Sequence, residues 1–348
     1  MRVFTGFVTL LTAIAAVAPL AARQSPATEP LTIARILAAR YPAQPIMSYI
    51  PALAWSGSLH LTELTKEPQW RDRAEKDIQT FVAGTTPAIA EPYRLTSLAG
   101  GLAFADAATM AGDAGAGALA QKVAAFILPQ GTGDVVRFAN GWTDDMFMAS
   151  SVLSRVDSGA HGARVGELLT TYAAKLQRPD GLFIHAIDGP HAWGRGNGFA
   201  LLGVTEALTH LPSNWSDRAR VLEIYRKHVA ALAKLQSDDG SWRQVVDEPT
   251  SYRELTVTAM TTAAIARGVR LGWIDRDTYL PIINRGWTAV TERVNADGTV
   301  KDVCSGTGVG PTKEYYLNRP VVNGADDRGG AMALLAAIEV ETMRRASR

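Results

Sequence analysis

Two adjacent carboxylates, Asp144 and Asp145, lie among large apolar side chains in residues 140–148, NGWTDDMFM. Acidic residues in the first turn of a helix are ordinary, because the helix dipole favours negative charge there. The dipole does not explain why this pair lies beside Trp142 and Phe147. A buried carboxyl with a like-charged neighbour holds its proton to higher pH, as a general acid must near neutrality. We therefore interpret Asp144 as a candidate general acid.

A second candidate is His185, which ends the segment 181–185, GLFIH, and is followed by Asp188. A histidine after a turn is ordinarily a surface or core residue, so this pattern alone leaves its role open.

A third candidate is the segment 193–199, WGRGNGF, which runs directly into a helical pattern. Glycines before a helix N-terminus let backbone amides approach an anion, and an arginine can hold a carboxylate with two hydrogen bonds. Trp193 and Phe199 offer flat faces for a sugar ring. A plain helix start would explain one of the glycines, but it does not call for Trp193 and Arg195 in the same turn.

Composition excludes several other chemistries. The 348 residues carry 35 basic and 34 acidic side chains, which argues against nucleic-acid binding, and the single cysteine excludes a disulfide or a zinc ribbon. No cluster of His, Cys and Asp has the spacing of metal ligands, and no Gly-x-Ser-x-Gly or Walker motif is present. Residues 306–310, GTGVG, precede a proline and predict a loop near a cavity rather than a dinucleotide cradle. We expect neither a metal nor a cofactor.

The N-terminus has the order of a secretory signal peptide: Arg2, an apolar run over residues 3–18, then Pro19 and small residues. An uncleaved membrane anchor is the alternative, although the run is short for a span. We predict a signal peptide over residues 1–23, a single mature domain over 24–348 without membrane attachment, and a periplasmic or secreted location.

The elements that must position these residues are mostly helices arranged in a repeat. Residues 174–181, AKLQRPDG, recur 59 positions later as residues 233–240, AKLQSDDG, and an Asp-Gly pair follows again at Asp297. The unit is a helix, an Asp-Gly turn, a short extended piece and a returning helix. Tyr252–Leu271 is apolar on nearly every face, which is typical of an inner layer. The period gives between five and six units, and six can close into a ring. We therefore predict an all-α, six-hairpin (α/α)6 barrel with short β-hairpins at the cavity mouth, or alternatively an open solenoid.

The motifs together resemble the unsaturated glucuronyl and rhamnogalacturonyl hydrolases of glycoside hydrolase families 88 and 105. The resemblance rests on Trp142-x-Asp144, on the segments 181–185 and 193–199, and on residues 252–260, 268–272 and 306–310, covering roughly residues 40–340. It implies an (α/α)6 barrel that hydrates a 4,5-unsaturated uronic acid at the non-reducing end of oligosaccharides made by polysaccharide lyases. Asn197-Gly198 after Arg-Gly is closer to the rhamnogalacturonyl branch.

The resemblance also implies roles by position. Asp144 matches the general acid/base, and His185, Trp193 and Arg195 match substrate contacts; we add Trp142, Asp145, Asn197 and Phe199 as expected substrate-binding residues. Three departures are present: Thr96 and Ser97 stand where a second aspartate is usual, Phe199 replaces a tryptophan, and Arg328 replaces a frequent histidine.

Two other functions stay open. An inverting glycosidase on the same barrel needs two carboxylates about 6.5–9.5 Å apart, such as Asp144 with Asp188, Glu254 or Asp326. A non-catalytic sugar-binding protein would keep the aromatic cavity without a competent acid. The expected partner is in each case an oligosaccharide, and the sequence does not fix the oligomeric state.

The signal peptide gives the first testable prediction. Cleavage between about Ala18 and Gln24 should follow export, because the small residues there suit a signal peptidase. N-terminal sequencing of protein recovered from the periplasm or medium measures it, and an intact Met1 would contradict it.

Overall fold

The structure is a computed structural model that describes Met1 and residues 28–129 and 135–346. From residue 2 onward, the predicted signal segment lies outside the described residues. The helices are α1 (Pro30–Arg40), α2 (Tyr49–Thr65), α3 (Gln69–Val82), α4 (Leu95–Leu98), α5 (Gly101–Ala111), α6 (Ala114–Ile127), α7 (Thr143–Leu153), α8 (Ser158–Leu176), α9 (Gly194–His210), α10 (Arg218–Lys234), α11 (Leu255–Arg270), α12 (Arg276–Thr291), α13 (Lys313–Leu317) and α14 (Asp327–Arg345). The strands are β1 (Trp242–Arg243), β2 (Arg253–Glu254), β3 (Val300–Cys304) and β4 (Val321–Gly324).

Two concentric layers of helices form a closed ring. Within the described residues the inner layer contains α2, α5, α7, α9, α11 and α14; each packs on the next, and α14 returns to α2. The outer helices α3, α6, α8, α10 and α12 each pack on the inner helix that precedes them, and α1 packs on α14. The sixth hairpin therefore joins the two ends of the described chain. This closure confirms the predicted (α/α)6 barrel rather than an open solenoid.

The sequence of each layer matches its burial. In the inner layer, α11 is buried on every side from Leu255 to Val269. In the outer layer, α10 buries a stripe that includes Val221, Tyr225 and Val229 and leaves most of its arginines and lysines exposed. A helix that is apolar all round needs neighbours on both sides, whereas an amphipathic helix needs only one.

The repeated Asp-Gly segments are the turns that return the chain to the inner layer. Gly240 has a φ of +86°, a conformation that favours glycine, and the Asp239 carboxylate accepts the backbone N–H two residues later. The Gln236 side chain donates to the carbonyl of Gly240 at 2.9 Å and to that of Ile282 in the next outer helix at 2.9 Å. The turn at residues 177–181 repeats these bonds, so both copies of the repeat join one hairpin to the following one.

The extended pieces after these turns lie beside the N-termini of the inner helices. β1 pairs with β2, which runs straight into α11, and β3 pairs with β4, which leads into α14. Bridges from Ala186 to Gly189 and from Trp193 to Val245 order the chain before α9. These hairpins confirm the ones predicted at the mouth, and they surround the first turns of the inner helices.

Buried ion pairs, together with a hydrogen bond from Ser56, connect the inner helices in their middle and C-terminal parts. One member comes from each inner helix or from its end; we call this set the basal ionic cluster: Ser56 (α2), Asp106 (α5), Arg155 (after α7), Glu206 (α9), Arg267 (α11) and Glu339 (α14). Arg155 pairs with both Asp106 and Glu206, and Arg267 pairs with both Glu206 and Glu339.

The cluster keeps its acids ionised despite their burial. Burial alone would raise the pKa of Glu206, but Arg155 and Arg267 outweigh it and hold that pKa well below its ordinary value. The pKa values of Asp106 and Glu339 are lowered in the same way by the buried arginines. Each charge is compensated only while its neighbours on adjacent helices stay in place.

Removing the shared carboxylate tests the cluster. Glu206→Ala should lower the free energy of unfolding by about 3–5 kcal/mol, because it leaves Arg155 and Arg267 with less than their full compensation in the interior. Denaturant unfolding measures the change. The control Glu292→Ala replaces an exposed glutamate outside the cluster and should stay within about 0.5 kcal/mol of the wild type. Equal effects of the two substitutions would contradict the role of the cluster.

Candidate active site

Asp144 is the second residue of α7, at the mouth of the barrel. Its side chain is 16% exposed, and its Oδ2 atom lies 3.3 Å from Nε2 of His185. Neither of these two buried atoms has a hydrogen bond of good geometry within the described residues. The two candidates that the sequence separates by 41 positions are therefore neighbours at the cavity.

His185 is fixed from its other side. Its Nδ1 atom lies 3.0 Å from the hydroxyl of Tyr316, and that hydroxyl accepts the N–H of Gly310 at 3.4 Å. The hydroxyl proton is then free to point at Nδ1, which leaves the proton of a neutral imidazole on Nε2, facing Asp144. The rings of Trp142 and Trp193 flank the imidazole, with centroids 5.3 and 4.6 Å away.

Asp145 faces away from this cavity. Its Oδ2 atom accepts the backbone N–H groups of Asn140, Gly141 and Trp142 at 2.8–3.1 Å and the hydroxyl of Tyr172 at 2.9 Å. The residue is 1% exposed. Because its carboxylate is hydrogen-bonded to the loop before α7, we assign Asp145 the role of positioning that loop and the neighbouring Asp144. The substrate contact expected for Asp145 from the sequence is therefore wrong. Burial raises the pKa of Asp145 to about 6, against the hydrogen bond from Tyr172.

Arg195 lies in the first turn of α9 and is 2% exposed. Its Nε donates to Thr256 at 2.9 Å, and its Nη2 donates to the carbonyl of Cys304 and lies 3.6 Å from Glu254. Burial acts against the charge, but Glu254 raises the pKa of Arg195 on balance, so the group stays a cation. The sequence suggested that Arg195 holds a ligand carboxylate with two hydrogen bonds. Arg195 alone cannot do so, because Nη1 is its only guanidinium nitrogen without a hydrogen bond within the described chain.

Asn197 is fully occupied by the protein. Its Nδ2 donates to the carbonyls of Phe183 and Trp193, and its Oδ1 accepts the N–H of Phe183 at 2.9 Å and lies 3.0 Å from Nε2 of His228. It therefore fixes the hairpin before α9, and it is not the substrate contact that the motif suggested.

Phe199 also lies in the core and offers no face to the cavity. It is 1% exposed, stacks on Phe147 with ring centroids 5.8 Å apart, and meets Tyr49 edge-on at 5.4 Å. Trp193 is 2% exposed, but its Nε1 atom has no partner in the described structure. Of the two aromatic residues of this motif, only Trp193 lies beside the candidate acid and its histidine.

Two residues of the mouth were not among the predicted site residues, although Arg328 was noted as a departure from the family pattern. Tyr49 is the first residue of α2, and the charges of Arg195, Asp144, Arg328 and Asp326 all act on its hydroxyl. Burial raises the pKa of Tyr49 to about 12, so the hydroxyl stays neutral. Arg328, in the first turn of α14, is paired with Asp326 at 2.7 Å. The signal that could have found both is their place in the first turn of an inner helix.

Across the described parts of the chain, no group of three or more His, Cys, Asp or Glu side chains is arranged to hold a metal ion. No helix there is long and apolar enough to cross a membrane.

Comparison with known proteins decides the family. The profile of Glycosyl Hydrolase Family 88 matches residues 32–344. The chain belongs to this family.

Curated relatives match over part of their length. The unsaturated 3S-rhamnoglycuronyl hydrolase of Alteromonas sp. (strain LOR) is 33% identical over 128 residues, 36% of this chain and 31% of that protein. The unsaturated rhamnogalacturonyl hydrolase YesR of Bacillus subtilis (strain 168) is 27% identical over 194 residues, 51% of this chain and 54% of that protein. The chain thus spans about a third to a half of the curated relatives it matches.

Solved structures share the fold over nearly the whole chain. A family 105 glycoside hydrolase of C. acetobutylicum ATCC 824 has a TM-score of 0.80 at 20% identity, covering 89% of this chain and 99% of that one. The unsaturated glucuronyl hydrolase of Bacillus sp. GL1 has a TM-score of 0.64 at 16% identity, covering 90% and 95%. At these identities the likeness shows the barrel fold.

The raised pKa of Asp145 predicts a pH-dependent difference in stability between the wild type and Asp145→Asn. The folded pKa of about 6 exceeds the roughly 3.9 of an unfolded aspartate, so the folded wild type gains stability as it takes up this proton and the variant does not. From about pH 7.5 down to about pH 4.5 the wild type should gain about 2 kcal/mol of unfolding free energy over the variant.

Denaturant unfolding of both proteins at each pH measures this difference, and the comparison cancels the titration of all other groups. The control Asp188→Asn changes an exposed carboxylate and should show no such trend. A gap between the wild type and Asp145→Asn that stays constant with pH would show that Asp145 is not buried as described.

Proposed function

We propose that this protein is a glycoside hydrolase that releases a 4,5-unsaturated uronic acid from the non-reducing end of lyase-generated oligosaccharides. Membership of Family 88 and the names of the curated relatives support this class of reaction. Both named relatives act at a linkage that involves rhamnose, according to their names, so we expect rhamnose-containing fragments and take unsaturated rhamnogalacturonan as the first substrate to test.

One observation carries the proposal: Asp144 is the carboxylate at the mouth that is left available for chemistry. Asp145 holds the loop before α7, and Asp326 is paired with Arg328 and caps α14. Glu254 accepts hydrogen bonds from Thr256, Val257 and Cys304. By contrast, Oδ2 of Asp144 has no hydrogen-bond partner among the described residues and faces His185.

The chemistry follows from a single carboxyl group. The unsaturated uronide carries an enol ether between C4 and C5. The protonated Asp144 donates its proton to C4, which leaves an oxocarbenium-like cation at C5. Water adds to C5 while the Asp144 carboxylate takes one of its protons, so the acid returns to its starting state. The hemiketal at C5 opens to a ketone, and C1 then releases the neighbouring sugar.

The neighbours of Asp144 suit this cycle. A proton on Nε2 of His185, 3.3 Å away, stabilises the carboxylate that forms after proton donation. Trp142 and Trp193 flank the imidazole of His185, which is buried, and a buried partner strengthens the interaction between charges.

The occupied carboxylates argue against an inverting glycosidase. That mechanism needs a second carboxylate free to activate water. Glu254 and Asp326 are already held by hydrogen bonds and ion pairs, and Asp188 lies exposed on the hairpin before α9. A non-catalytic sugar-binding protein would instead bind the unsaturated oligosaccharide without turning it over.

Replacing the acid tests the proposal. The wild type should remove the ultraviolet absorbance of an unsaturated disaccharide, and Asp144→Asn should lower turnover by about 10²–10⁴, because the amide cannot donate and recover the proton. Calorimetric titration should show that the variant still binds the disaccharide. The control Asp277→Asn changes an exposed residue of α12 and should keep wild-type turnover.

Other outcomes separate the alternatives. An inactive Asp145→Asn beside an active Asp144→Asn would move the acid by one residue. A wild type that binds unsaturated oligosaccharides but never consumes them would support the sugar-binding function and contradict hydrolysis.

A further inference from the structure

Exposed apolar side chains concentrate around the mouth of the barrel. Within the described chain after Met1, five large apolar residues are exposed. Four of them precede or begin the approach to an inner helix, and we call them the apolar rim: Ile46 before α2, Tyr93 before α4 and α5, Ile187 before α9 and Val321 before α14. The fifth, Leu271, follows α11 at the opposite end of the barrel. Single exposed apolar residues are ordinary, whereas a group of them around a cavity marks a binding surface.

Ile187 is the rim residue that lies on the same hairpin as His185. It comes two residues after that histidine, and it is 68% exposed. The next residue, Asp188, and the candidate acid Asp144 both act through their charges on the hydroxyl of Tyr316. The same hydroxyl bonds to His185. The tip of this hairpin and the acid therefore share a neighbour, which places Ile187 on the side of the mouth where the acid lies.

The backbone of this tip is fixed. Ala186 and Gly189 exchange two backbone hydrogen bonds, at 3.2 and 3.3 Å. Gly189 packs so closely on Tyr316 that a Cβ there would lie 2.3 Å from the tyrosine hydroxyl oxygen. Isoleucine is also stiff about its first side-chain torsion, because it is branched at Cβ. Little conformational freedom is therefore lost when a ligand covers Ile187, which favours binding.

The chemistry of the tip favours an uncharged sugar that carries an apolar group. Isoleucine has no aromatic face on which a pyranose ring could stack, so a small aliphatic group suits it best. A 6-deoxyhexose offers such a group, the methyl at C6. Asp188 is exposed and makes no ion pair or hydrogen bond with the described residues. Its carboxylate can accept hydrogen bonds from sugar hydroxyls, but it repels a sulfate or a second carboxylate at the same place.

We propose that this hairpin tip binds the sugar next to the unsaturated uronide, with Ile187 against the C6 methyl group of an unsulfated rhamnose and Asp188 accepting hydrogen bonds from its hydroxyls. This inference rests on the proposed function and names the neighbouring sugar that the mouth selects. The contact removes apolar surface from water and involves the leaving sugar, not the uronide. It therefore affects substrate binding and not the proton transfer at Asp144.

The first experiment compares two unsaturated disaccharides that differ at one carbon. One carries L-rhamnose next to the uronide, and the other carries L-mannose, which has a hydroxymethyl group in place of the C6 methyl. The wild-type KM should be about 3–10-fold lower for the rhamnoside, because burying one methyl group contributes about this much to binding. Ile187→Ser should raise KM for the rhamnoside by about 3–10-fold and leave KM for the mannoside, and kcat for both, within about twofold. Ile187→Val should keep most of the preference.

The second experiment adds a sulfate ester to the rhamnose. The wild-type KM should rise by about 5–10-fold, because the charge of Asp188 opposes the sulfate. Asp188→Asn should remove most of this rise and should change KM for the unsulfated rhamnoside by less than about threefold.

The matched control is Leu271→Ser, which makes the same kind of change at the exposed apolar residue on the opposite end of the barrel. Its KM for each disaccharide should equal that of the wild type. Thermal unfolding of each variant checks that the barrel is intact, and analytical ultracentrifugation measures its oligomeric state.

Three outcomes would overturn this site while leaving the proposed function standing. The first is a wild type with equal KM for the rhamnoside and the mannoside. The second is an equal loss on both disaccharides in Ile187→Ser, which would assign Ile187 to the stability of the hairpin. The third is a wild-type dimer that Ile187→Ser converts to a monomer without a change in KM, which would make the rim an interface between two copies of the chain. A wild type that consumes none of the unsaturated disaccharides would overturn the proposed function itself.

Discussion

The barrel depends on charges that are buried where its inner helices meet. A ring of helices lined only with Leu and Ala could close with different numbers of helices or in different registers, because apolar contacts have no direction. The basal ionic cluster does have direction: Arg155 must reach carboxylates on α5 and α9, and Arg267 must reach carboxylates on α9 and α14. A slipped helix would leave an uncompensated charge in the interior, which costs far more than a lost apolar contact.

With the helices held in register at one end, their first turns are held in register at the other. Asp144, Arg195 and Arg328 all lie within the first two residues of an inner helix, and Tyr49 begins one. None of these side chains has to be placed by a long loop. The hairpins between them, carrying His185 and the loop after β3, are braced against these first turns by hydrogen bonds to buried side chains.

Much of this could be predicted from the sequence, and the failures have physical reasons. The 59-residue repeat narrowed the hairpin count to between five and six, and apolar faces assigned the layers, because both can be read along the chain. Asp144 and His185 were found because motifs carry them. Asp145, Asn197 and Phe199 sit in the same motifs, but their contacts are with the backbone or the core, and a motif does not tell which way a side chain points.

The contacts that could not be predicted from the sequence are those that form when the ring closes. The members of the basal ionic cluster are separated by about fifty residues or more, and no local pattern marks them as partners. Tyr49 and Arg328 lie at opposite ends of the chain and share one site only because α14 returns to α2. A search for chemistry in neighbouring residues cannot see such a pair.

The hairpin formed by α1 and α14 also sets the order in which the molecule can be completed. Five hairpins join elements that follow each other along the chain, and each can form as soon as its second helix has left the ribosome. The sixth pairs α1, the first helix described, with α14, the last, so it cannot form until the chain up to α14 has been made. Tyr41, just after α1, then donates to the carbonyl of Gly298. Until then the inner faces of α2 and α11 stay open to water. Bringing such distant segments together is slow, so the nearly complete ring is the state most exposed to aggregation or capture by chaperones.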